Sequence, residues 1–258
     1  MEYDVEKPIW EHITELSERL KVIVLVVAAA AFILGVIPAR PLDPSSYKGN
    51  YTTLVSYVIS KLEKKMLPEG AEIIAGGWMD VLTVYLTASL VLGFLAASPV
   101  VAYEIWKYIS PALYRHERKL IAYFILGFIA LFALGGVYAF YIIVPITARV
   151  IMWLAVKGGA TPVFTLKEFM NFLFLAVVAT GLFFNFPLIL LVLVKAGVVD
   201  TKTLSSNTRK VFLAVLILTA VLTPDPSPIS MLLLSIPFMG LYLVVIFLGR
   251  RIEKGEAT

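Results

Sequence analysis

Apolar residues fall into six runs, roughly 20–38, 78–101, 120–145, 166–194, 211–223 and 229–249, separated by polar passages. A helix needs about 20 apolar residues to cross a bilayer, and most of these runs meet that length. The fifth does not: its thirteen residues would span roughly 20 Å as a helix, so it requires thinned bilayer or shielding by protein. The expected architecture is an all-α membrane protein with six transmembrane helices, the last two short, in a single polytopic domain over residues 1–258. Two polar passages carry helical periodicity of their own. Ile9, Ile13, Leu16 and Leu20 recur at spacings of three and four behind Pro8, which predicts an amphipathic helix leading into the first run. Leu54, Val55, Val58, Ile59, Leu62 and Met66 predict a second, with Lys61, Glu63, Lys64 and Lys65 on its wet side. The short run Val150–Val156 cannot cross and is expected at the interface. Gly127, Gly135 and Gly136 suit close helix packing in the third run, and Pro187 predicts a bend in the fourth. Asn185 lies close to that proline, deep in apolar sequence. It needs partners from other helices, either as an interhelical hydrogen bond or in a functional role.

Composition supports lipid as the solvent. The chain is 60% hydrophobic, against roughly 45–50% for soluble domains. Charge then orients it. The segments 1–21, 105–119, 195–210 and 250–258 hold fourteen of the 22 Lys and Arg residues, so the positive-inside rule places them, and both termini, in the cytoplasm. The first apolar run follows a polar stretch and ends in no cleavage pattern, so no cleavable signal peptide is expected. The expected location is the cytoplasmic membrane, as a multi-pass protein in a lipid bilayer.

Candidate chemistry is sparse. There is no cysteine, no P-loop, no dinucleotide fingerprint and no HExxH or GxSxG motif. His12 and His116 lie in different segments with no third ligand in view. No enzyme activity, metal, cofactor or nucleic-acid partner is therefore expected. A secondary transporter of a small solute is the alternative class. It would call for charges or broken helices at mid-membrane, and only Asn185 with Pro187 approaches that. What remains is carboxylates beside the inner segments: Glu15 and Glu18 before the first run, Glu104 and Glu117 between the second and third. A partly desolvated carboxylate prefers the forked guanidinium of arginine to the point charge of lysine. Separated acidic sites on one membrane face are suited to reading two arginines on a partner peptide.

The most information-rich stretch is SPVVAYEIWKYISPALYRHERKL, residues 98–120, charged and dense in aromatic rings. It resembles the first cytoplasmic loop of the TatC family of twin-arginine translocase subunits. EHITELSERL (11–20) resembles that family's amino-terminal motif, FFNFPLIL (183–190) its fourth-span motif and LTPDPSP (222–228) its last turn. The resemblance implies a receptor for the Arg-Arg signal peptides of folded cargo. It also implies single-span TatA/TatB-type partner subunits and export driven by the proton-motive force, and leaves self-association open. By motif, Glu15 and Glu117 take the arginine-binding positions, with Tyr108 at the loop's aromatic position and Arg19 in support. Asn185 takes the polar position of the fourth span, and Pro41 that of the first outer-loop proline. Two positions depart from the pattern: Ser17 stands where the motif usually has arginine, and Asn185 is uncharged.

Overall fold

The computed structural model describes residues 9–39, 52–66, 72–74, 76–109, 118–159, 163–222 and 228–256. Nine α-helices and two very short strands make up the described fold: α1 (Ile9–Val36), α2 (Leu54–Met66), β1 (Glu72–Ile74), α3 (Asp80–Ile109), α4 (Arg118–Tyr138), α5 (Val144–Lys157), β2 (Val163–Thr165), α6 (Leu166–Lys195), α7 (Thr201–Ser206), α8 (Thr208–Leu222) and α9 (Pro228–Glu256). Among the described residues five helical stretches are long and apolar enough to cross a membrane, within α1, α3, α4 to α5, α6 and α9. The chain is a multi-pass membrane protein.

The amphipathic amino-terminal segment and the first apolar run form one helix, α1. Nothing between Ser17 and Val22 interrupts helical hydrogen bonding, so the polar stripe continues into the apolar one. The helix α1 packs along α3 at very short range. A Cβ added at Gly93 of α3 would lie 2.6 Å from the backbone nitrogen of Ala31 on α1. Ser89, Gly93, Ala97 and Glu104 share one face of α3, and Ser89, Ala97 and Glu104 are buried. That stripe of small residues brings the two backbones together and carries Glu104 to α1 at its far end.

Gly135 plays the same part between α4 and α6, its added Cβ falling 2.8 Å from the carbonyl of Thr180. Phe124, Phe128 and Phe132 stand four apart on α4 and form a ladder of rings, Phe128 and Phe132 stacked at 6.4 Å. Trp106 of α3 joins its lower end, 5.1 Å from Phe124. Ile23 and Val27 of α1 and Leu188 and Val192 of α6 close over this cluster.

Three expectations change. The third apolar run does not end at Pro145, and Val150–Val156 is not a separate interfacial piece. A π-helical turn, Ala139–Ile143, joins α4 to α5, and the helical path continues to Lys157. Proline lacks an N–H and its ring crowds the preceding turn, so a wider turn just ahead of it lets the helix pass. The last helix is not short either: α9 has 29 residues, because helical hydrogen bonding continues through Arg250 and Arg251 past the apolar run. Asn185, finally, makes no hydrogen bond to a neighbouring helix among the described residues. It is buried, and its Nδ2 donates to the Gly181 carbonyl of its own helix at 2.9 Å. Its Oδ1 has no partner among the described residues. The fifth run forms α8, a helix of 15 residues.

Two small devices hold the ends of the bundle. On one side β1 pairs in parallel with β2, and Thr165 at the end of β2 caps α6 by accepting from the Glu168 N–H at 3.2 Å. On the other, Glu253 of α9 accepts from both the backbone N–H and the hydroxyl of Thr201 at the start of α7. Tyr242 donates to the Leu204 carbonyl at 2.9 Å, and Arg250 to the Ser205 hydroxyl at 2.9 Å. These contacts strap the 195–207 segment to α9.

Candidate functional site

The beginning of α1 and the end of α3 meet at one end of the bundle, and there a three-residue ionic cluster forms. Glu15 and Arg19 stand four apart on α1, so their side chains share a face, in the order that favours pairing. The guanidinium of Arg19 donates through Nη2 to Glu15 Oε1. Through Nη1 it donates to Oε2 of Glu104, across the helix interface, at 3.3 Å. The side chains of Arg19 and Glu104 are only 14% and 11% exposed, and that of Glu15 is 26% exposed. The cluster is thus largely withdrawn from water, where a charge-assisted bond outweighs its worth at the surface.

The hold on Arg19 is incomplete. A guanidinium carries five N–H donors, and charge-assisted N–H···O bonds run to about 2.7–2.9 Å. The bond to Glu104 is longer than that, and Nε is buried with no partner among the described residues. A buried donor left unmatched costs about 1–3 kcal/mol.

Around the cluster the surface is aromatic and apolar. Tyr108 lies one turn beyond Glu104 and is exposed, as is Tyr103. Two residues past Glu104, Trp106 opens onto a cleft of about 300 Å³ lined also by Tyr123, Phe124, Leu188, Leu191 and Val192, with Lys195 and Ile252 at its edge. The cleft shows that the end of α3, the start of α4 and the ends of α6 and α9 share one face of the bundle. Among the described residues no group of three His, Cys, Asp or Glu side chains could hold a metal ion.

Of the residues predicted from sequence, Glu15 and Arg19 are in contact, Tyr108 is on the same face, and Asn185 is in the interior of α6. Glu117 lies outside the described residues. Glu104 is among the four candidate carboxylates, but the motif-based assignment of the site passes over it. Its signal was present: Gly93, Ala97 and Glu104 are spaced by four and seven, which puts the carboxylate on the small-residue stripe and therefore against a neighbouring helix.

Comparison with known proteins identifies the family. A family model described as Sec-independent protein translocase protein (TatC) matches residues 11–237. The TatC protein of Aquifex aeolicus is 32% identical over 244 residues, covering 94% of this chain and 95% of that one. TatCy of Bacillus subtilis is 28% identical, covering 96% and 92%. A crystal structure of the twin-arginine translocase receptor TatC superposes with a TM-score of 0.74 at 30% identity, over 94% of this chain and 99% of that one. These matches set aside the solute-transporter and enzyme readings: the chain belongs to the TatC family, membrane subunits of the Sec-independent protein translocase.

Proposed function

We propose that this chain is the core subunit of a twin-arginine translocase, receiving Arg-Arg signal peptides of folded cargo where α1 begins and α3 ends. The observation that carries this reading is a guanidinium, that of Arg19, already seated between Glu15 and Glu104 on that face. A site that holds one arginine has the chemistry to hold another. Glu15 and Glu117 take the two arginines of the signal, Tyr108 packs beside them, and Arg19 belongs to the same cluster. The apolar cleft at Trp106 lies at the same end of the bundle and suits the start of the signal's apolar stretch. The receiving face is cytoplasmic, as are both termini, and α8 makes the sixth crossing in a multi-pass protein of the cytoplasmic membrane. A bundle of this size encloses no pore for a folded protein, so export requires single-span partners of the TatA/TatB type and the proton-motive force.

The test is binding of a twin-arginine peptide to the protein in nanodiscs, at two salt concentrations, for wild type and for the Glu15→Gln/Glu117→Gln double variant. Salt-sensitive binding by wild type, lost in the double variant and lost with a Lys-Lys peptide, is the expected result. Equal binding of both peptides would overturn the reading. In cells, Glu117→Ala should abolish export of Arg-Arg cargo, and Glu117→Asp should reduce it less.

A further inference from the structure

We infer that Arg19 is a resident competitor: it occupies the seat that a guest arginine takes, and binding of the guest displaces it. The inference rests on the receptor reading above and adds a determinant of affinity to it. Three observations lead there. Arg19 is bonded to Glu15, the carboxylate assigned to the guest. Its second bond, to Glu104, is long at 3.3 Å, and its Nε–H is buried with no described partner. Its position on α1 explains both: an i,i+4 partner on its own helix sets the angle of the guanidinium, so it meets Glu104 with one nitrogen and cannot present a fork. A guest arginine arrives on a separate chain without that restraint. It can approach either carboxylate edge-on and make two parallel bonds, the geometry in which arginine exceeds lysine.

Displacement has a calculable consequence. If a seat is filled by its own side chain nine-tenths of the time, the guest's apparent Kd is raised about tenfold. Arg19 thereby sets a threshold: a single arginine or a lysine competes poorly, and a peptide engaging Glu15 and a second carboxylate at once overcomes it. A purely supporting Arg19 has the opposite signature, since removing it would leave the guest with a less ordered site.

The experiment is titration of the twin-arginine peptide against the full-length protein in nanodiscs, for wild type, Arg19→Gln and Arg19→Lys. Tighter binding by Arg19→Gln, about three- to tenfold, with Arg19→Lys between it and wild type, is expected. Methylguanidinium, a one-arginine probe, should inhibit peptide binding at lower concentration in Arg19→Gln than in wild type, an effect that a structural role does not produce. Weaker or unchanged binding in both variants, with the wild type still preferring Arg-Arg to Lys-Lys, would overturn the competitor role and leave the receptor reading intact. Loss of the Arg-Arg preference in wild type itself would overturn both. If Arg19→Gln fails to fold, Arg19→Lys decides: tighter peptide binding than wild type, and inhibition by methylguanidinium at lower concentration than in wild type, support the competitor role, and weaker or unchanged values overturn it.

Discussion

Two glutamates tie helices together at the same end of this bundle, and they do so differently. Glu253 of α9 meets Thr201 with both oxygens engaged, one by the backbone N–H at 2.8 Å and one by the hydroxyl. Each donor is neutral and local to one residue, so the contact is fully matched. Glu104 of α3 meets Arg19 through a single long bond, shares it with Glu15, and leaves an N–H of the guanidinium without a partner among the described residues. Both are polar contacts at the edge of an apolar bundle, yet only the second is left short of its hydrogen bonds. A matched contact behaves as structure. An unmatched, charged and partly open one is where an exchangeable ligand finds a gain in free energy by entering.

Substitutions can sharpen that contrast or break it. The largest effect is expected at Gly93, beneath the ionic cluster. Gly93→Leu forces α1 and α3 apart and should cost about 3 kcal/mol or more, since the clash is with backbone and no side chain can yield. Thermal unfolding in detergent should show a large fall in Tm, with peptide binding lost alongside it. Next is Glu253→Ala, which leaves Thr201 with an unmatched N–H and hydroxyl and should destabilise by about 1–3 kcal/mol. Peptide affinity should stay within twofold of wild type. A large loss of binding here would erase the distinction between the two glutamates.

Glu104→Gln should do the reverse. Shape is kept and charge is lost, so Tm should move little while the Kd for the twin-arginine peptide rises about fivefold, equivalent to about 1 kcal/mol. A smaller effect still is expected from Asn185→Leu. Among the described residues the amide bonds only to a carbonyl of its own helix and leaves Oδ1 unmatched, so replacing it should change stability by less than about 1 kcal/mol in either direction. A large fall in Tm would show that Asn185 has a partner in the membrane.

The smallest effect concerns pH. Asp200 caps α7, and hydrogen bonds from the Thr203 hydroxyl and then the Thr203 backbone N–H hold its carboxyl below the usual aspartate range. A folded-state value lowered in this way stabilises above the ordinary aspartate pKa, and that contribution is lost as pH falls through the folded value. In Asp200→Asn this part of the acid sensitivity of Tm should disappear while the cap itself remains.

The sequence by itself determined the fold class and much of the site. Runs of apolar residues long enough to cross lipid allow only helices, because a backbone in lipid must satisfy its own hydrogen bonds. The i,i+4 relation of Glu15 and Arg19 was equally legible, since it depends on nothing beyond one helix. The family followed from short motifs at four separate places in the chain. Only the tertiary structure decided how far the helices run and what meets across them. The passage of the chain beyond Pro145 depends on a π-helical turn, and the length of α9 depends on hydrogen bonding that ignores the change from apolar to charged residues. The bond from Glu104 to Arg19 joins residues 85 apart and exists because Gly93 lets two backbones come within reach. Local periodicity reports which face of a helix is buried. Which charge it is buried against is set by the crossing of two helices, and that is a property of the assembled bundle.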